Sequence, residues 1–76
     1  MNRRIKSNLR TLLNERNIEQ KELAEMTGLS VRTISELAND KMKYYPKKAL
    51  EAIANALDVD DINELLTIID DDDEAE

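Results

Sequence analysis

One glycine, Gly28, and one proline, Pro46, are the only strong chain breakers in 76 residues, and that scarcity limits the possible folds more than any other feature. An all-β domain turns every ~8–12 residues and uses glycine and proline to do so. Two such residues are too few. The apolar positions are mostly Leu, Ile and Ala, with no Phe or Trp, a set that suits compact helices better than a pleated surface. The expected class is therefore all-α, a single domain near the small end of what folds without staples. Cysteine is absent, so neither a disulfide nor a thiolate metal site can hold the chain, and the core must come from packing. Histidine, the commonest metal ligand and general base, is absent too.

These absences weigh against an enzyme and against a bound cofactor, metal or small-molecule ligand. Catalysis would fall to Asp, Glu, Lys, Ser or Tyr, and carboxylates cluster only at residues 70–76. The first six residues are basic, but no apolar stretch of signal-peptide type follows. No apolar run approaches the ~20 residues that span a bilayer. A cytoplasmic protein with no membrane partner is the expectation.

The formal net charge of −6 is unevenly placed. All 11 Lys and Arg lie in residues 1–48 against six acids, while 11 of the 17 acids fill residues 49–76 with no base among them. A basic front and an acidic rear suggest polyanion contact on one side and an acidic tail on the other. The expected division is a folded domain over residues 1–69 and a self-repelling, disordered tail over residues 70–76.

Hydrophobic spacing gives five short helices. Ile5, Leu9, Leu12 and Leu13 share one helical face, predicting a first helix over residues 3–16 that Asn17 stops in a left-handed conformation. Ile18 returns the chain to the core. Strong helix formers from Gln20 to Met26 predict a second helix ended by Gly28, and Ser30 is a good N-cap for a third over residues 31–38. A basic loop leads to Pro46, which suits the first turn of a fourth helix bearing Leu50, Ile53, Ala54 and Leu57. Val59 turns inward from a short connection. Ile62, Leu65, Leu66 and Ile69 predict a fifth helix with acids in its first turn.

The link of residues 27–30 is too tight for an antiparallel pair of helices in full contact, which leaves the steep crossing of a helix-turn-helix over residues 20–38. Ala24 is small where the two helices approach. Gly28 supplies a left-handed turn residue without the steric cost of a Cβ. Leu23, Leu29, Ile34 and Leu37 are the apolar positions that lock the pair to the core. The pattern Gln20-x-x-Leu23-Ala24-x-x-x-Gly28-Leu29-Ser30-x-x-Thr33-Ile34-Ser35-x-Leu37, continued by Asn39-Asp40-Lys41, Leu50-x-x-Ile53-Ala54-x-x-Leu57-Asp58-Val59 and Leu65-Leu66, resembles the Cro/C1 (XRE) family of bacterial and phage repressors. The resemblance covers about residues 5–67 and implies a compact five-helix, lambda-repressor-like domain that binds double-stranded DNA.

With Ile34 inward and 100° per residue, Arg32 and Glu36 point away from the core, Asn39 lies close by, and Thr33 and Ser35 flank them. An outward face of this kind meets base edges when a helix docks in the major groove. Arg32 suits guanine O6 and N7, Val31 a thymine methyl and Glu36 a cytosine amino group. The resemblance places base contacts on Val31, Arg32, Thr33 and Glu36. It places phosphate contacts on Gln20, Asn39, Lys41 and Lys43, with Ser30 at the amino end of the recognition helix as a further candidate. Free amides at the start of the second helix favour an anion near Gln20. Three positions depart from the family pattern: Glu19 where Ser or Thr usually caps the second helix, Val31 where polar readers are frequent, and Asp40 where glycine is common.

Blander readings stand beside these. Arg32 and Glu36 can pair with each other, the lysines of residues 41–48 can be ordinary solvated loop, and Tyr44 and Tyr45 can pack the loop. The tail can be a solubilising end or can compete with DNA for the basic face. Ile62, Leu66 and Ile69 can finish the core or form the seam of a homodimer. The leading functional expectation is a sequence-specific transcriptional regulator, a repressor on a pseudo-palindromic operator. Its rival is a protein-binding module (antitoxin, antirepressor or adaptor) that has kept the scaffold, lost strong DNA affinity and works through a regulatory protein partner.

Overall fold

A computed structural model describes residues 2–70. In chain order they form β1 (Arg3–Ser7), α1 (Leu9–Arg16), α2 (Gln20–Thr27), α3 (Val31–Ala38), α4 (Lys47–Leu57), a 3-10 turn (Ile62–Glu64) and β2 (Leu66–Asp70). The second, third and fourth helices lie where their residues predict. The outer two expectations do not hold. The first five residues of the expected first helix are strand, with helix only from Leu9 to Arg16, and the fifth is replaced by the 3-10 turn and a second strand, so the domain is four α-helices with a two-stranded antiparallel sheet and not five helices.

The reason is a pairing between the two ends of the chain. β1 and β2 run antiparallel with Arg3 opposite Asp70, Ile5 opposite Ile68 and Ser7 opposite Leu66. Thr67, Ile68 and Ile69 are β-branched, stiff at χ1 and at home in a strand. Ser7 and Asn8 compete with helical backbone bonding and favour a helix start over a helix interior. Ser7 Oγ accepts the Leu9 N–H at 3.3 Å, and the Asn8 N–H donates to the Leu65 carbonyl at 2.7 Å. Both act where the strand hands over to α1. Ser7 is buried and Leu66 half-buried, whereas Ile5 and Ile68 are 49% and 68% exposed. The ribbon thus leaves the core as it lengthens.

With so little glycine, three of the four α-helices stop on other residues. Asn17, Asp40 and Asp58 all carry positive φ, between 56° and 59°, and Asn and Asp are the non-glycine residues that adopt this conformation most readily. At each, the next residue's N–H reaches back five residues: Ile18 to Leu13, Lys41 to Glu36 and Val59 to Ala54. This satisfies a carbonyl that the helix end would otherwise orphan. The Arg16 guanidinium donates to the Leu57 carbonyl, tying the end of α1 to the end of α4.

The core is shared by all four helices: Leu9, Leu12 and Leu13 from α1, Leu23 and Ala24 from α2, Ile34, Leu37 and Ala38 from α3, and Ile53 and Leu57 from α4. Val59 and Leu65 close it from the segment after α4. Leu23 and Ile34 are fully buried, each stabilising the fold by about 1.5–3 kcal/mol relative to an exposed side chain. Among the described residues no helix is long and apolar enough to cross a membrane, and no group of three acidic residues is placed to hold a metal ion.

Candidate nucleic-acid interface

α2 and α3 are joined by Gly28, Leu29 and Ser30. Gly28 has φ 78°, and a Cβ built on it meets nothing within 4 Å. Glycine is therefore required here by backbone conformation and not by lack of space. Thr27 closes the turn from the other side. Its Oγ1 donates to the Leu23 carbonyl at 2.8 Å and accepts the Leu29 N–H at 3.2 Å. Leu29 packs partly against the core, and Ala24, buried on α2, keeps the helices close.

Ser30 caps α3, accepting the Thr33 N–H at 3.0 Å while its hydroxyl donates to Thr33 Oγ1 at 2.9 Å. Two of the residues expected to contact DNA at this end, Ser30 and Thr33, are thus engaged with each other in the cap. At the start of α2, Glu22 accepts the Glu19 N–H at 3.0 Å. Glu19 therefore replaces the usual Ser or Thr within a closed first turn, and Gln20, half-buried, opens the helix.

The inner face of α3 is buried through Ile34, Leu37 and Ala38. Its outer face carries Val31, half-exposed, and Arg32, whose side chain is 87% exposed. Arg32 Nε lies 3.3 Å from Glu36 Oε2. An exposed pair at this spacing contributes about 0.3–0.5 kcal/mol, little enough for Arg32 to exchange Glu36 for a base edge. Past the helix end, Asn39 is held from two sides: the Arg10 guanidinium donates to its Oδ1, and its Nδ2 donates to Ser35 Oγ at 3.2 Å. Arg10 belongs to α1, and helical periodicity alone gave it no part in this surface. Only the packing of α1 beside α3 brings it to Asn39.

Asp40, one of the three departures from the family pattern, lies in the segment that follows α3. Met42 and Tyr45 pack partly against the core, while Lys41, Lys43 and Tyr44 are exposed. Asp40 Oδ2 accepts from Arg4 at 2.9 Å, and Oδ1 accepts the Ser7 N–H at 3.1 Å and the Tyr45 hydroxyl at 3.0 Å. Partial burial works against the charged form. The bonds from Arg4, the Ser7 N–H and Tyr45 outweigh it, and the carboxyl lies below its ordinary pKa. The same burial, together with the bond to Asp40 and its charge, raises the Tyr45 phenol above its ordinary value. The acid that looked unfavourable beside a phosphate backbone is thus neutralised by Arg4.

Val31, Arg32, Glu36, Asn39, Lys41 and Lys43 are exposed or half-exposed on α3 and the segment that follows it. Ile62, Leu66 and Ile69 do not form the single stripe expected of a fifth helix. Ile62 is exposed on the 3-10 turn, whereas Leu66 and Ile69 point to opposite faces of β2 and are half-buried. Of the expected tail, Asp70 lies in β2 opposite Arg3, and residues 71–76 lie outside the described residues.

A family model for the Cro/C1-type HTH DNA-binding domain matches residues 8–71 of the chain. No curated protein and no solved structure matches it significantly.

Proposed function

The chain belongs to the Cro/C1-type helix-turn-helix DNA-binding family, and on that premise we propose that it is a sequence-specific transcriptional regulator, a repressor that lays α3 in the major groove of its operator. The observation that carries this is the outward face of α3. A helix capped at Ser30 and buried along Ile34 and Leu37 presents Arg32 to solvent, with Lys41 and Lys43 following directly in the chain. Arg32 reads guanine, Val31 and Thr33 pack or bond at the amino end, and Glu36 selects against bases without an amino donor. Gln20, Ser30, Asn39, Lys41 and Lys43 hold the phosphates on either side and fix the register. Two copies on a pseudo-palindromic site would set their α3 helices ~34 Å apart.

The test is a fluorescence-anisotropy titration of a set of short duplexes at two salt concentrations, with Arg32→Ala as control. The regulator reading expects some sequences to bind about a thousandfold more tightly than bulk DNA, and expects Arg32→Ala to erase that preference. Absence of binding even at low salt overturns it.

A second reading has its own observation. An apolar groove of about 300 Å³ between α4 and residues 59–65 is lined by Leu50, Ala54, Val59, Ile62 and Leu65, together with three acids, Glu51, Asp60 and Asp61, and one base, Lys47. A protein-binding module would use such a groove. Failure of the DNA titration together with saturable binding of a basic, apolar peptide would favour it.

A further inference from the structure

We propose that Asp40 is a positioning residue for DNA binding, one that folds the basic segment after α3 into a closed arc and anchors that arc to the β1 strand. The inference rests on the DNA-binding reading above and adds how the phosphate-binding lysines are held. Asp40 sits where α3 ends, in left-handed backbone with φ 59°. The Lys41 N–H bonds back to the Glu36 carbonyl at 2.9 Å, so the chain direction after α3 is set at this residue. One carboxylate oxygen then takes the hydroxyl of Tyr45, five residues on, which closes residues 40–45 into a loop. Within the loop Met42 and Tyr45 face the core, and Lys41 and Lys43 are left outside on the same short arc. The same oxygen takes the Ser7 N–H, and the second takes Arg4. The arc is thus fixed to a strand more than thirty residues away in the chain.

Two effects of Asp40 on a bound phosphate oppose each other, and this makes the idea testable by sign. If Asp40 matters only as a charge, removing it leaves the surface more positive and DNA binds more tightly. If it positions the lysines, removing it releases them, and the entropy of re-ordering two long side chains and their loop falls on the binding step. Removing Asp40 also takes the carboxylate away from Arg4 and leaves the surface more positive, so weaker binding can come only from lost positioning and not from charge.

The experiment uses the full chain, a 20-base-pair duplex and anisotropy titrations across a range of salt, with thermal melts of each variant. Asp40→Gly keeps a backbone that accepts positive φ. It is expected to melt cooperatively, to bind roughly tenfold more weakly at low salt, and to flatten the slope of log K against log salt by ~1–2, the loss of one or two phosphate contacts. Asp40→Asn keeps the oxygen that receives Ser7 and Tyr45 and should stay within about threefold of the parent. Tyr45→Phe keeps the packing, opens the arc and should fall between them. Asp40→Gly binding as tightly as the parent, or more tightly, overturns the proposal. If Asp40→Gly does not fold, a Tyr45→Phe variant with parental affinity and slope overturns it equally. Should the parent itself show no salt-dependent binding, the DNA reading fails and the positioning role falls with it; a parent that binds with insensitive variants removes the positioning role alone.

Discussion

Gly28, Asn17, Asp40 and Asp58 share the left-handed backbone that ends four of the chain's helices, yet only one of the four is glycine. At that position the space around the absent side chain is open. The whole cost of replacing it should therefore be conformational, about 1–2 kcal/mol for Gly28→Ala. Gly28→Asn should cost clearly less, because Asn tolerates this region. Urea unfolding of the two variants measures both. Equal losses for Ala and Asn would mean that steric contact and not backbone conformation controls the turn. Thr27 belongs to the same local logic. Its hydroxyl spans the turn by bonding Leu23 and Leu29, and nothing in the spacing of apolar residues marks it.

At the scale of elements, α2, α3 and α4 were legible because their signals are local: Ser30 as cap, Gly28 as stop, Pro46 ahead of α4, and apolar residues three and four apart. The two strands were not, because their signal is an agreement between the chain's ends. Ile5 fits a helical stripe with Leu9 and Leu12, and Leu65, Leu66 and Ile69 fit another, so periodicity favoured helix at both places. Pairing of Arg3–Ser7 with Leu66–Asp70 overrides it. The candidate site divides in the same way. The outward face of α3 could be read from helical geometry, whereas Arg10 beside Asn39 and Arg4 on Asp40 follow only from tertiary packing. Point substitutions should reflect this division between helical core and projecting ribbon. Ile34→Ala, at a fully buried position, should cost ~2–5 kcal/mol. Ile68→Ala, on the exposed end of the ribbon, should stay within roughly 0.5 kcal/mol. Both are read by chemical denaturation with far-UV circular dichroism. A large loss at Ile68 would mean that the ribbon packs more deeply than its exposure suggests.

For the whole molecule, a negative net charge and a DNA-binding fold are compatible because the charges are segregated along the chain. All 11 bases precede residue 49, and of the acids among them, Asp40 is neutralised by Arg4 and Glu36 is paired with Arg32. Long-range repulsion from the acidic rear is screened beyond ~8–10 Å at moderate salt, whereas phosphate contacts at Lys41 and Lys43 act at close range. Salt dependence should therefore report those contacts and not the overall charge. Each phosphate neutralised contributes about −0.9 to the slope of log K against log salt, so the Lys41→Ala, Lys43→Ala double variant should reduce the slope by ~2. Its ranking of duplex sequences should be unchanged, because contacts to phosphate position the protein without reading sequence. Arg32→Ala should do the reverse, losing the ranking and keeping most of the slope. A double variant that kept its slope would place the phosphate contacts elsewhere on the basic half, with Arg10 and Gln20 the next residues to substitute. Loss of ranking in the double variant would instead mean that the loop itself reaches base edges.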